Sequence, residues 1–126
     1  DLLKRYHKKK IILIDRFIDS TIAYQHYGLG VNLSLISRIN DYILSSFKID
    51  YTFLNIVNYK NMKKRLKLRN SLNRYDKFQI NFYEKVQKGF VKLSKKNPRK
   101  YQLIDSNLDI KFNENFIINR IEKLIK

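Results

Sequence analysis

Three short apolar runs, at 11–14, 51–57 and 101–104, are each followed by longer stretches whose apolar residues recur at helical spacing. Runs of four to seven residues rich in Ile, Val, Phe and Tyr read as strands, and stretches repeating every three to four residues read as amphipathic helices. Strands that alternate with helices of this length cannot pair through tight hairpins. They are joined by crossovers, which makes the sheet parallel and the crossovers right-handed. The sequence therefore predicts an α/β protein, a three-layer α/β/α arrangement around a parallel sheet, with all of residues 1–126 in one domain. Three strands make a small sheet, so one edge is exposed unless another element covers it.

The first run carries the sharpest local signal. Ile11-Ile12-Leu13-Ile14 stops abruptly at Asp15-Arg16. A buried strand that emits an acid and a base at its carboxyl end places them where open α/β sheets bind their ligands. The residues that follow, Phe17 to Tyr27, are small, hydroxylated or aromatic, and read as a helix or irregular helical turn ended by Gly28-Leu29-Gly30. Residues 1–10 read as the last turns of a helix without a capping signal at its start. Lys8, Lys9 and Lys10 have a structural role there against the helix dipole.

Downstream, Asn32 or Ser34 caps a helix through Leu33, Leu35, Ile36, Ile39, Tyr42, Ile43 and Phe47. Asn58 to Asn70 holds Lys60, Lys63, Lys64, Arg65, Lys67 and Arg69 with no acid. Met62 and Leu66 give it a narrow apolar stripe, so it reads as a short helix with a cationic face. A long helix is expected over 76–96 through Phe78, Phe82, Val86, Phe90 and Leu93, closed by Asn97-Pro98. The strand at 101–104 is followed by another acid, Asp105. A last amphipathic helix is expected over 114–126.

Composition removes several classes of function. Without Cys there is no disulfide framework and no thiolate metal site. Two His, His7 and His26, are too few and too far apart for a His-based zinc site. No apolar run is long enough for a membrane-spanning helix, and the amino terminus lacks a signal-peptide apolar core. A cytoplasmic protein is the expectation. The net charge of +16 invites a polyanion partner. However, the chain holds 19 Lys, 17 Ile and 13 Asn, three residues that an A/T-rich genome enriches together. The lysines are spread along the chain, which favours coding bias with a modest anion-binding role over dedicated nucleic-acid binding.

The string Asp15-Arg16-Phe17-Ile18-Asp19-Ser20-Thr21-Ile22-Ala23-Tyr24-Gln25, followed by Gly28-Leu29-Gly30, resembles thymidylate kinases. These are P-loop nucleoside monophosphate kinases that pass phosphate from ATP to dTMP. Later pieces follow in order. Asp50-Tyr51-Thr52-Phe53-Leu54 resembles the family's fourth strand. The basic segment about 60–76, with Arg65, Arg69 and Asn73-Arg74-Tyr75-Asp76, resembles its lid. Phe82-Tyr83-Glu84-Lys85-Val86 with Gly89-Phe90 resembles the helix after the lid, and Ile104-Asp105-Ser106 the end of the last strand. The family's phosphate-cradling loop, G-x-x-x-x-G-K-[ST], is not among these residues, nor are its first two strands. The resemblance is thus to the carboxy-terminal portion, starting inside a helix. The 126 residues alone are expected not to phosphorylate dTMP.

What the resemblance implies can be stated residue by residue. Arg16, a planar fork suited to phosphate, falls on the dTMP phosphate. Asp15 orients the Mg²⁺ shell through water or holds the arginine. Thr21 faces the thymine edge, Tyr24 lies beside the sugar and helps select deoxyribose, and Gln25 belongs to the same wall. Arg65, Arg69 and Arg74 close over the ATP phosphates, with Asp76 orienting Arg74, and closure expels water. Asp15, Arg16 and Arg74 form the catalytic set, and no residue ligates metal directly. Asp105-Ser106-Asn107 borders the adenine. Ser20 reads as a local turn residue and His26 as a surface ring. The family is commonly homodimeric, with the helix over 32–47 a candidate interface. Two alternatives stand beside this reading. A basic nucleic-acid-binding module would need aromatics interleaved with Lys on one exposed face, whereas most aromatics here fall on apolar stripes. The other alternative is a non-catalytic remnant.

Overall fold

A computed structural model describes residues 2–6, 8–46, 48–68 and 80–126. In chain order it contains α1 (Leu2–Tyr6), α2 (Ile18–Thr21), a π-helical segment (Ile22–Gly28), α3 (Leu33–Leu44), β1 (Thr52–Ile56), α4 (Tyr59–Lys67), α5 (Ile80–Lys96), a 3₁₀ turn (Pro98–Lys100), β2 (Tyr101–Asp105) and α6 (Ile110–Ile125). The strands pair in parallel, Thr52 opposite Tyr101 through Ile56 opposite Asp105. The sequence expectation of parallel strands joined by helical crossovers holds for this pair.

Helix starts follow side-chain chemistry. Asn32 accepts from the Ser34 and Leu35 N–H groups at 2.8 and 3.3 Å and opens α3. Asn58 accepts from the Asn61 N–H at 2.8 Å and opens α4. Asp109 accepts from the Phe112 N–H at 3.0 Å and opens α6. That last cap moves the start of α6 to Ile110, ahead of the 114 expected from apolar spacing. A carboxylate at the cap satisfies an otherwise orphaned amide and sets the boundary before the apolar period begins. The long helix expected over 76–96 is present as α5 from Ile80. Its first expected residues, with Phe78, lie outside the described residues.

One expected strand is corrected. Residues 11–14 form no strand, and the sheet has two strands among the described residues. Ile11, Ile12, Leu13 and Ile14 are 64%, 36%, 78% and 46% exposed. A strand exists by its ladder, and no described segment offers these residues one.

The core lies between the π-helical segment and α5. Ala23, Phe82 and Val86 are buried there, with Tyr24, Tyr83 and Phe90 packed against them. Phe82, Val86, Gly89 and Leu93 are the buried face of α5. Two glycines allow the close approach. A Cβ on Gly28 would stand 2.6 Å from the Phe82 ring, and one on Gly89 would stand 2.5 Å from the Tyr27 ring. Neither distance is one that packed carbons tolerate. The side-chain amide of Gln87 binds both backbone groups of Val57, accepting from its N–H at 2.9 Å and donating to its carbonyl at 2.8 Å. Thus α5 carries the π-helical segment and also holds the carboxyl end of β1. Among the described residues, no helix is long and apolar enough to cross a membrane.

Candidate functional site

Asp15 and Arg16 follow the exposed apolar run and precede α2. Arg16 has φ +61°, in the left-handed region that residues with a Cβ seldom adopt. Such a conformation costs about 1–3 kcal/mol and persists only where the surroundings impose it. The Arg16 Nη2 donates to the Tyr24 hydroxyl at 2.7 Å, and its Cζ lies 5.1 Å from the Tyr24 ring centroid. Tyr24 in turn meets Phe82 and Phe90 edge-on, with centroids 5.9 and 6.4 Å apart. The exposed guanidinium is therefore tied to a ring seated on the core.

The π-helical segment around Tyr24 is closed by local backbone bonds. The Leu29 N–H reaches back five residues to the Tyr24 carbonyl at 3.1 Å, and the Val31 N–H binds the Gln25 carbonyl at 2.8 Å. Segments of this kind concentrate at functional sites. Thr21, at the end of α2, is exposed, and Gln25 is half-buried one turn on. His26 donates through Nδ1 to the Val31 carbonyl at 2.9 Å, which occupies that nitrogen locally. His26, expected as a surface ring, is half-buried.

A second link anchors α2. The Tyr101 hydroxyl donates to the Asp19 carboxylate at 2.7 Å across 82 residues. Burial raises the Tyr101 phenol above its ordinary range, and the hydrogen bond and charge of Asp19 push the same way, against a smaller opposing bond from Thr52. Tyr101 thus remains a neutral donor.

At the carboxyl ends of β1 and β2 lies a polar cluster. Asn107 is its hub. Its Oδ1 accepts from the Asn58 N–H at 3.1 Å and from Asn61 Nδ2 at 2.9 Å. Its own N–H and Nδ2 donate to Asp105 Oδ1 at 2.9 and 2.6 Å. The Asp105 carbonyl accepts from Asn113 Nδ2 at 2.8 Å, and the Ser106 N–H continues the ladder to the Ile56 carbonyl at 2.8 Å. Arg65, on α4, donates through Nη2 to the Ser106 carbonyl at 2.5 Å.

The candidate residues from the sequence thus divide. Arg16 and Tyr24 are in direct contact, with Asp15 next in the chain. Among the described residues Asp15 and Arg16 form no ion pair with each other, and no group of three acidic or His residues could enclose a metal. Arg65 lies at the strand ends, bonded to the loop after β2. Arg69, Arg74 and Asp76 lie outside the described residues. Sequence reasoning missed Gln87, Tyr101 and the hub role of Asn107. Only Asn107 carried a local signal, the two-residue Asx spacing from Asp105 that favours a turn.

The chain is matched over residues 2–117 by the family model for thymidylate kinase. A thymidylate kinase of Mycoplasma capricolum is 37% identical over 105 residues, which is 82% of this chain and 49% of that protein. One from the Wolbachia of Brugia malayi is 34% identical over 123 residues, 98% of this chain and 58% of that protein. The crystal structure of thymidylate kinase from Ehrlichia chaffeensis superposes with a TM-score of 0.62 at 35% identity, covering 92% of this chain and 51% of that one. The chain spans about half the length of the curated relatives it matches. The stretch from Asp15 to Gly30, the strand ends and α5 all fall within the matched residues, and the chain belongs to the thymidylate kinase family.

Proposed function

We propose that this chain carries the nucleotide-acceptor half of a thymidylate kinase, the part that holds dTMP while phosphate arrives from ATP. The observation that carries the reading is the Arg16 guanidinium, exposed beyond an apolar run and fixed against Tyr24. Phosphoryl transfer depends on positioning and electrostatic stabilisation more than on covalent chemistry by the protein. Arg16 supplies a planar donor set matched to the dTMP phosphate. Tyr24, Thr21 and Gln25 form the wall beside the nucleoside. Arg65, with Arg69 and Arg74, belongs to the lid over the ATP phosphates, where added positive charge offsets the charge that develops on transfer.

Mg²⁺ at kinase sites is held by one or two carboxylates together with the nucleotide phosphates. Asp15, exposed and without an ion pair among the described residues, fits that limited role through water. The ion when bound neutralises phosphate charge. Asp15 contributes a carboxylate next to Arg16 in the chain and needs no proton transfer to do so.

The family reading extends to assembly and location. Leu35, Ile39, Tyr42 and Ile43 form an exposed apolar stripe at helical spacing on α3. A face of this kind suits self-association as a homodimer. Acting on free nucleotides, the enzyme belongs in the cytoplasm. Sedimentation of the chain against Ile39→Glu tests the dimer, which the charged variant should dissociate.

The acceptor reading is tested by titrating the 126-residue chain with dTMP and with thymidine. The phosphate should confer a clear gain in affinity. Arg16→Ala should remove about 1.5–3 kcal/mol of dTMP binding, the worth of charged hydrogen bonds, and leave thymidine unchanged. Equal binding of the two ligands by the unaltered chain overturns the reading.

A further inference from the structure

Arg16 and Tyr24 are eight residues apart, and their contact joins an exposed cation to the core in two steps. The first step is the 2.7 Å bond from Nη2 to the Tyr24 hydroxyl. The second is the edge-on seating of the Tyr24 ring against Phe82 and Phe90, on the Ala23, Phe82 and Val86 core. An exposed arginine ordinarily samples many rotamers, and ordering it on a ligand costs binding affinity. Here the left-handed backbone of Arg16 sets where the side chain leaves the main chain, and the hydroxyl sets where its far end stops. A guanidinium has five N–H donors. The bond to Tyr24 uses one, and the others remain available for the two-pronged capture of a phosphate.

We infer that the Tyr24 hydroxyl is a positioning group for Arg16, holding the guanidinium ready for the phosphate of the acceptor nucleotide. This goes beyond a place for Tyr24 beside the sugar, and it rests on the acceptor-site reading for the identity of the anion. The two roles of Tyr24 separate by ligand. A group that acts on the sugar affects thymidine and dTMP alike. A group that acts through Arg16 affects only the ligand that carries a phosphate.

Tyr24→Phe keeps the ring and removes the hydroxyl, so the packing against Phe82 and Phe90 survives. In the full chain, Tyr24→Phe should weaken dTMP about fivefold, the change that accompanies one ordinary hydrogen bond. dTMP should lose clearly more than thymidine, which keeps the ring face of Tyr24, and the extra loss for dTMP should vanish when Arg16→Ala is already present. A ligand-free arm uses NMR relaxation of the arginine Nε–H groups. Arg16 should be more ordered than Arg38 and Arg99, which are exposed. Tyr24→Phe should bring Arg16 down to their level without changing the thermal midpoint. An Arg16 as mobile as Arg38 in the unaltered protein overturns the inference, as does an equal loss of thymidine and dTMP binding. If the chain shows no affinity for dTMP, the acceptor reading fails by itself. The Nε measurement then still decides the positioning, with release of Arg16 in Tyr24→Phe supporting it and no change overturning it.

Discussion

The Arg16 corner and the Asn107 corner both present polar groups beyond the end of an apolar run, yet they are supported differently. Arg16 leans on Tyr24, whose ring rests on Phe82 and Phe90. Beyond that one hydrogen bond its support is apolar and reaches buried residues within one side chain. Asn107 sits among Asn58, Asn61, Asp105 and Asn113, all linked by hydrogen bonds near the surface. Hydrogen bonds in water contribute modest net stability, because water competes for the same groups. Buried rings contribute through area removed from water and through packing that cannot relax without loss. The first corner should therefore keep its geometry as long as the core stands. The second should respond to local changes with little consequence elsewhere.

The largest expected effect tests that dependence. Phe82→Ala removes a buried ring that touches Tyr24 and lies against Gly28. It should cost about 3–5 kcal/mol of stability, a large share of what a small domain possesses. Thermal unfolding followed by circular dichroism measures it. Order at the Arg16 Nε–H should fall in the folded fraction, whereas the amides of Asn107 and Asn58 should keep their chemical shifts. A variant that loosens both corners equally would break the distinction between them.

How much of this was legible before the structure differs along the same line. The cap at Asn32, one of two candidates with Ser34, follows from residue type and position, since one side-chain oxygen beside a free amide is a local matter, whereas the cap at Asn58 was not read from the sequence. The Phe82 to Leu93 stripe follows from spacing, and so does the parallel pairing of β1 with β2 from the helices between them. Asp15-Arg16 stood out in the sequence as an acid and a base ending an apolar run. The left-handed φ of Arg16 was not, because no glycine or asparagine marks it. The run at 11–14 has strand composition but no ladder among the described residues, and a strand depends on its partner as much as on itself. Gln87 on Val57, Tyr101 on Asp19 and Asn107 on Asn58 join residues 30, 82 and 49 positions apart. Pairings of that kind are products of the fold, and no single-chain pattern encodes them.

A smaller effect comes from the link between α2 and β2. Tyr101→Phe deletes the bond to Asp19 and should cost about 0.5–1.5 kcal/mol. Its pH dependence has a definite sign. The folded state holds the Tyr101 phenol above its ordinary range, chiefly through burial and secondarily through Asp19. The neutral form is thus the one the fold favours. Its contribution is complete below the ordinary tyrosine pKa of about 10 and is lost as pH rises toward the folded value. The stability difference between the unaltered chain and Tyr101→Phe should be constant through neutral pH and shrink in strong alkali. A difference that grows with pH would mean that the Tyr101–Asp19 bond does not hold the proton as described.

The smallest expected effect is at Asn107, and its value lies in comparing two substitutions. Asn107→Ala removes an acceptor shared by Asn58 and Asn61 and a donor to Asp105, but every group released can turn to water. The expected cost is about 0.5–1 kcal/mol, near the range of ordinary surface changes. Asn107→Asp keeps the shape and the acceptor but replaces the donating amide, 2.6 Å from Asp105, with a second carboxylate. Two carboxylates at that distance repel, and the repulsion at an exposed site is screened by salt. Asn107→Asp should therefore be the less stable of the two at low ionic strength, with the gap closing as salt is added, while Asn107→Ala stays insensitive to salt. Denaturant unfolding at two ionic strengths reads both. If Asn107→Ala instead cost as much as Phe82→Ala, the strand-end cluster would be a second centre of stability, and the contrast with the Arg16 corner would not hold.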